Sequence, residues 1–441
     1  MSEYIPTLSF KGTAARLFLL LVLSLLLESY CPQSDYDNGH PSRHQMGGVY
    51  CAYPFPDDST SYAAAPKGYE AFYVSHFSRH GSRWMSSDAK YDYIYSQFAD
   101  TANLTPLGLG LRRLLAPTVD LSRGHGGQLT RLGAQQQRRH ALRMYHNYPS
   151  VFVAHAPVKA RSSVVRRTVE SMDAYMEQLR HLQPDLTIDQ TTDSADMQWI
   201  AYTSPEVLRL EDSIHVVPEC DPMRFLKQLF LDPAKVTDGR TLMGELHTLA
   251  VSIQDTYTEY PSYPHALEDT LMLLFTDQEF RAVYDARNLS MTMVNGGYPG
   301  LEKIPARSAV SLWRNFEEEA DRAIAYGRPS ATLRFAHDTS LYRMLTLLDF
   351  QRRSYSDIQS MGTEIGRVGD VDLMDRIIPM GACLQMVFFK PSGQQPSAAN
   401  TLVRLVLNEH VITLPISSRA GNCYTWPAIK DYVAQRIDSV R

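Results

Sequence analysis

At 441 residues the chain is long enough for one large domain, or two moderate ones, around a sizeable core. Its 44% hydrophobic and 21% charged residues exclude the disordered and fibrous classes. A net charge of -5 excludes the broadly basic surface of a nucleic-acid-binding protein, so an anionic ligand has to be met by a local arginine cluster.

The chain opens with Lys11 and Arg16 ahead of the apolar run Leu17 to Leu27. That run is too short to span a bilayer comfortably and has the layout of a signal peptide, against the alternative of a buried helix. Residues 1–30 are expected to take no part in the fold. The protein is expected to be exported to a periplasm, the medium or a cell surface, without a stable membrane span. A lipid anchor at Cys31 is conceivable, but Glu28 and Tyr30 fit poorly the small residues such a cleavage site prefers. Cys51, Cys220, Cys383 and Cys423 remain, and an even number in an exported chain permits disulfides in three connectivities. Cys383 with Cys423 is the favoured pair, against four scattered buried thiols.

Residues 35–66 lack periodicity and read as a surface arm. The strand-like run Ala71 to Phe77 leads into Ser78-Arg79-His80-Gly81-Ser82-Arg83. Each guanidinium is a permanently charged planar fork suited to phosphate, and the imidazole can act as a neutral nucleophile near physiological pH. Gly81 lets the backbone approach an anion. The competing reading is a solvated loop, but Arg-His-Gly-x-Arg arises by chance in well under about one chain in a hundred of this length.

Tyr91, Ile94, Phe98 and Ala102 recur at helical spacing until Pro106 and Gly108 intervene, and Leu111 to Leu115 starts another helix. Gly126 to Gln135 introduces a helix to about Tyr145, with Thr130 as a cap and Gly133 for close packing. Residues 150–160 form a second strand candidate ending at Arg161, ahead of a helix with Val169, Met172, Met176 and Leu179 on one face. Cations near a helix N-terminus oppose the helix dipole, so Arg161 and Arg167 make more sense there if an anion binds. From Ser204 to Tyr326 helices dominate, among them one opened by the capping box Thr276 to Glu279. This stretch reads as an insertion covering the pocket. A third strand, residues 330–336, runs into His337-Asp338, followed by a helix through Leu341, Met344, Leu345 and Leu348. Residues 383–390 and 402–407 read as strands and 426–437 as a closing helix.

The expected organisation is α/β, with core parts at 31–204 and 330–441 and a helical cap at 205–329. Three strand candidates end in charged or His-containing residues, and each precedes a helix. In an open α/β sheet the ligand site lies outside the carboxyl ends of the strands, where Arg79, His80, Arg83, Arg167, His337 and Asp338 can meet.

With Arg79-His80-Gly81-Ser82-Arg83 the chain resembles the histidine phosphatase superfamily in its acid phosphatase and phytase branch. The family pattern often continues with a Pro where Met85 stands here, after Trp84. The Gly126 to Gln135 segment is similar to the family's helix start. Arg161 and Arg167 stand six apart as in its Arg-x-x-x-x-x-Arg pattern, whose second Arg is the third phosphate ligand. Leu274 to Phe280, with Asn295-Gly296-Gly297-Tyr298, is similar to segments of the inositol polyphosphate phosphatase subgroup. That subgroup usually carries His-Ala-Glu where this chain has His337-Asp338.

The resemblance implies a phosphoglycerate-mutase-like, mostly parallel sheet flanked by helices, with an inserted helical domain. It implies hydrolysis of small-molecule phosphate monoesters, inositol polyphosphates among them, without metal or cofactor. His80 would be phosphorylated while Arg79, Arg83 and Arg167 hold the oxygens. His337 would donate to one oxygen, and Asp338 would protonate the departing alkoxide and then activate water. A carboxylic acid donor implies an acid pH optimum. The alternatives are a phosphoglycerate-mutase-like transferase, which the leader and the insertion argue against, and an inactive phosphate-binding protein. Asn103 and Asn288 head Asn-x-Ser/Thr sites.

Overall fold

The structure is a computed structural model and describes residues 36–37, 40–56, 64–259, 265–350, 367–368, 371–372, 374–419 and 421–441. The leader-like run and Cys31 lie outside the described residues. The chain divides into two units, 1–42 and 43–441. In the first unit, Tyr36–Asp37 pairs antiparallel with His40–Pro41. Everything that follows concerns the second.

Its elements, in chain order, begin with β1 (Tyr69–Arg79), α1 (Asp88–Ser96), α2 (Pro106–Ser122), α3 (Arg131–Asn147), β2 (Pro157–Ser162), α4 (Arg166–Leu182) and β3 (Thr187–Thr192). A helical stretch follows: α5 (Pro205–Ser213), α6 (Met223–Leu229), α7 (Gly239–Ser252), α8 (His265–Leu274), α9 (Asp277–Asn295), α10 (Lys303–Ser308) and α11 (Val310–Tyr326). The chain returns through β4 (Ala331–Ala336), α12 (Asp338–Leu347), β5 (Cys383–Pro391), β6 (Leu402–Leu407), β7 (His410–Ile412), β8 (Tyr424–Thr425) and α13 (Trp426–Ser439).

The main sheet runs β7-β6-β5-β1-β4-β2-β3, with β8 also on β6. β1, β4, β2 and β3 are parallel, and β5 to β8 extend the sheet antiparallel from β1. This is the expected α/β sheet, parallel where the charged strand ends lie and mixed beyond. Every residue of β4 is buried, as befits a strand covered on both faces. One face packs on α11, α12 and α13 through Trp313, Phe316, Leu341 and Trp426. The other packs on α3 and α4 through Met144, Met172, Tyr175 and Leu179. Each fully buried large apolar side chain stabilises by roughly 1.5–3 kcal/mol. The helical stretch has an apolar cluster of its own, in which Phe225, Leu246, Leu271 and Phe280 meet Tyr91, Leu111 and Leu115 from α1 and α2.

The capping box forms as expected: Thr276 accepts from the Glu279 amide while Glu279 accepts from the Thr276 amide. The second strand starts at Pro157, seven residues later than expected, because Val151 and Phe152 pack under α3 and α4 from a turn.

Cys383 and Cys423 are both free thiols, which corrects their expected pairing. Register forbids that bond. Leu384 faces Leu407 near one end of β6, whereas Tyr424 faces Val403 near the other. Four residues of strand separate them by about 13 Å, against the roughly 7 Å limit between bridged Cα atoms. Asn103 and Asn288 are both buried, so neither amide is open to glycosylation in the folded protein. No helix among the described residues is long and apolar enough to cross a membrane.

Candidate active site

Parallel pairing aligns the carboxyl ends of β1, β4 and β2. Arg79 lies opposite Ala336, and Phe335 opposite Ser162, so the chain leaves all three strands at one edge of the sheet. There Arg79, His80, Arg83, Arg167, His337 and Asp338 come together.

The first turn of α3 holds the loop after β1. Thr130 caps the helix by accepting from the Gly133 amide and donates its hydroxyl to the Ser82 carbonyl at 3.0 Å. Gln136 accepts from the Ser82 amide at 2.8 Å and donates to the Ser82 hydroxyl at 2.9 Å. Gln137 donates to the Arg79 carbonyl at 3.0 Å. The contact is close enough to require two glycines. A Cβ on Gly81 would lie 2.3 Å from the Gly133 carbonyl oxygen, and one on Gly133 would lie 2.2 Å from that of Ser82.

Arg79 is fully buried. One terminal nitrogen donates to the Val49 and Ile378 carbonyls at 2.7 and 2.6 Å, and the other forms an ion pair with Asp338 at 2.8 Å. His80 Nδ1 lies 2.9 Å from the Gly81 carbonyl. A carbonyl can only accept, so Nδ1 carries the proton and Nε2 keeps a lone pair. Burial, and then Arg79, Arg167, Arg83 and His337, hold the imidazole pKa well below its ordinary value, which keeps it neutral.

Arg83 donates to the Trp84 carbonyl at 2.8 Å and sits over the Tyr50 ring, 5.4 Å from its centroid. Trp84, in the position after the second arginine, stacks on His125 at 5.3 Å. Arg167 stands in the first turn of α4. Burial, followed by Arg83 and Arg79 against the attraction of Asp338, lowers its pKa to about 10. The Nε–H groups of Arg79, Arg83 and Arg167 find no acceptor among the described residues. Buried donors in native structures are nearly always paired, so this cluster is short of acceptors.

The His337 and His80 rings are 5.8 Å apart, and His337 Nε2 is 3.2 Å from the Ser163 hydroxyl. Burial and the nearby Arg167 lower the His337 pKa to about 4. Asp338 accepts from the Thr339 amide at 2.8 Å. Burial pushes its carboxyl pKa up, but Arg79 and His337 outweigh that and hold it ionised.

Arg161 is not part of this group. Its terminal nitrogens bond the carbonyls of Ala160 and Asp189 and the Asp189 carboxylate at 2.6 Å, with Asp196 at 3.9 Å. β3, a strand not expected from the sequence, brings Asp189 alongside.

The structure adds residues that sequence reasoning missed. Asp255, just beyond α7, is fully buried, and burial raises its pKa to about 7 against the Ser82 hydroxyl and the Arg83 and Arg79 charges. Nothing in its local sequence marks it. Val49, Ile378 and Tyr50 join the cluster from the amino-terminal arm and the segment before β5. Gln136 and Gln137 were the findable ones, because they fall in the helix start whose cap was expected. Among the described residues no group of three His, Cys, Asp or Glu side chains is placed to hold a metal ion.

The chain is similar to several solved proteins. One is the multiple inositol polyphosphate phosphatase of Bifidobacterium longum in complex with inositol hexasulfate, at 17% identity and TM-score 0.69 over 90% of this chain and 98% of that one. Another is the phytase from D. castellii, at 15% identity and TM-score 0.64 over 93% and 88%. A third is the phytase of Klebsiella sp ASR1, at 15% identity and TM-score 0.51 over 84% and 97%. These likenesses show the fold. No curated protein matches the chain at a significant level. The model of the histidine phosphatase superfamily (branch 2) matches residues 73–278, a segment that contains the Arg-His-Gly-Ser-Arg strand end and Arg167. Over those residues the chain matches the histidine phosphatase superfamily, branch 2.

Proposed function

We propose that the protein is an exported phosphomonoester hydrolase of the histidine acid phosphatase type, with inositol phosphates among its substrates. The single observation that carries this reading is a neutral imidazole with a free Nε2 lone pair inside a cluster of three guanidinium groups short of acceptors. A phosphate monoester dianion supplies the missing acceptors and neutralises the excess charge. The similarity to a phosphatase and phytases of inositol phosphates supports the substrate class. The apolar run ahead of Cys31 supports export.

In the proposed reaction Arg79, Arg83 and Arg167 hold the phosphoryl oxygens. His80 Nε2 attacks phosphorus in line as the ester P–O bond breaks, giving phosphohistidine and an alcohol. Asp338 gives its proton to the departing oxygen, then takes one from the water that cleaves the P–N bond. His337 donates one N–H to a phosphoryl oxygen. Asp338 is held ionised because Arg79 faces it. A bound phosphate draws on the same guanidinium and adds negative charge beside the carboxylate, and both raise its proton affinity. Arg161 has no part in this reading.

The test is release of phosphate from p-nitrophenyl phosphate by wild type and His80→Ala. The substitution should abolish turnover, and rapid quenching of wild type should trap a phosphorylated imidazole. Turnover that survives His80→Ala refutes the nucleophile assignment.

A further inference from the structure

Arg79, Arg83 and Arg167 form a cup around His80, and one acid beside it has no part in the proposed reaction. Asp255 ends the short turn Ile253–Asp255 that follows α7, and it is fully buried. Neither of its carboxyl oxygens meets a hydrogen-bond donor among the described residues. Apart from burial, the groups that act on its titration are the Ser82 hydroxyl, Arg83 and Arg79, all from the end of β1 and the loop after it. Asp338 and Tyr50 act on Arg79 as well. Two contacts fix the place of the acid. The α3 side chain Gln136 accepts from the Ser82 amide at 2.8 Å and donates to its hydroxyl oxygen at 2.9 Å, which leaves the hydroxyl hydrogen for another acceptor. Four residues beyond Asp255, Glu259 accepts from the Arg131 amide in the first turn of α3 and lies 3.5 Å from the Arg131 Nε. The helix that holds the loop of the cup therefore also anchors the turn that carries the acid.

Resting on the reading of the cup as a phosphate site, we propose that Asp255 is a positioning residue for phosphate binding: as a neutral acid it leaves Arg79 and Arg83 to the phosphoryl group, and as a carboxylate it competes for both. It touches no substrate atom and acts only through the two arginines. A buried carboxylate without donors is costly, so below neutrality the group is a carboxylic acid, and burial raises its pKa to about 7. The other titratable side chains of the cup keep one charge state near neutral pH. His80 and His337 have lowered pKa values and stay neutral, and Asp338 has a lowered pKa and stays ionised. Asp255 is thus the group beside the cup whose charge changes in that range. The Nε donors of Arg79 and Arg83 lack acceptors among the described residues, so a new negative charge nearby is felt rather than absorbed by existing pairs.

The experiment measures orthophosphate binding by calorimetry from about pH 5 to about pH 9 on wild type and Asp255→Asn. The ratio of the two dissociation constants cancels the titration of the ligand and of every group the two proteins share. It should be level below about pH 6, and by about pH 9 wild type should have weakened roughly tenfold relative to the variant. An acid with a structural role alone changes affinity equally at every pH. A ratio that is flat over the whole range, or that moves in the opposite direction, therefore overturns the inference. Ser82→Ala supplies a second readout that decides alone if Asp255→Asn does not fold. It removes the hydroxyl that favours the carboxylate, so the decline in affinity should begin at a higher pH than in wild type. A decline left in place refutes the proposal. Wild type that binds no orthophosphate at any pH refutes the phosphate site itself, and the inference falls with it.

Discussion

Replacing Asp338 by Asn should have two opposite effects, and together they separate its proposed roles. The carboxylate lies 2.8 Å from an Arg79 nitrogen, so it occupies a charge that a phosphate would use. With charge centres about 4 Å apart and an effective dielectric near 20, their attraction is about 4 kcal/mol. Asp338 is partly open to solvent, and a bound phosphate recovers only part of that attraction. A share near 1.4 kcal/mol corresponds to orthophosphate binding about tenfold tighter to Asp338→Asn. The amide cannot supply the proton an alkoxide needs, so turnover of an alkyl ester should fall by about 10² to 10⁴. p-Nitrophenolate departs unaided, and its ester should lose much less. The assay is kcat on cyclohexyl phosphate and on p-nitrophenyl phosphate, with the orthophosphate inhibition constant for both proteins. An equal loss on the two esters refutes Asp338 as proton donor. Weaker orthophosphate inhibition refutes its role as occupant of Arg79.

Other substitutions read separate parts of the geometry. Gly81→Ala and Gly133→Ala each drive a methyl into a carbonyl oxygen at 2.3 or 2.2 Å, so each should cost about 1–3 kcal/mol of stability and most of the activity. A variant that keeps both melting temperature and kcat would show the contact to be slack. Arg167→Ala should raise the orthophosphate inhibition constant at least tenfold, whereas Arg161→Ala, whose guanidinium is spent on Asp189, should change it less than about threefold. Equal effects would place Arg161 back in the cup. Asp255 has a folded pKa raised to about 7 against an unfolded value of about 3.9. Its contribution to stability is therefore intact below about pH 4 and declines as pH rises to about 7. Relative to wild type, Asp255→Asn should gain melting temperature progressively across that window and no further above it; a pH-independent difference would contradict the buried-acid reading.

The residues legible in the sequence were those whose partners are local. Arg79, His80 and Arg83 share one strand end, and Arg167 betrays itself as a cation in the first turn of a helix. What was illegible depends on pairing between distant segments. Arg161 looks equivalent to Arg167 until β3 is in place, and β3 escaped notice because its residues Thr187 to Thr192 are polar except for Ile188 and mostly exposed, without the run of alternating apolar residues that marks a half-buried strand. The Cys383–Cys423 pairing failed on register, which no count of cysteines contains. Asp255 and the Val49 and Ile378 carbonyls reach the cup from three remote parts of the chain, and an acid or a carbonyl in isolation signals nothing.

Those same remote groups explain how three guanidinium groups stay together before any phosphate arrives. Like charges this close repel, and burial removes the water that would screen them. Backbone carbonyls from Val49 and Ile378 take two of the Arg79 bonds, Trp84 takes one from Arg83, and Asp338 takes an ion pair. Nε donors of all three arginines still lack acceptors among the described residues. The resting cup is thus partly compensated. Full compensation would leave phosphate nothing to gain, and none would let the loop open. The fold fixes the balance through α3, whose Thr130, Gln136 and Gln137 bind the backbone of the loop rather than its charges. That division lets the arginines stay short of partners while the chain that carries them remains fully bonded, which is the condition for a preorganised anion site.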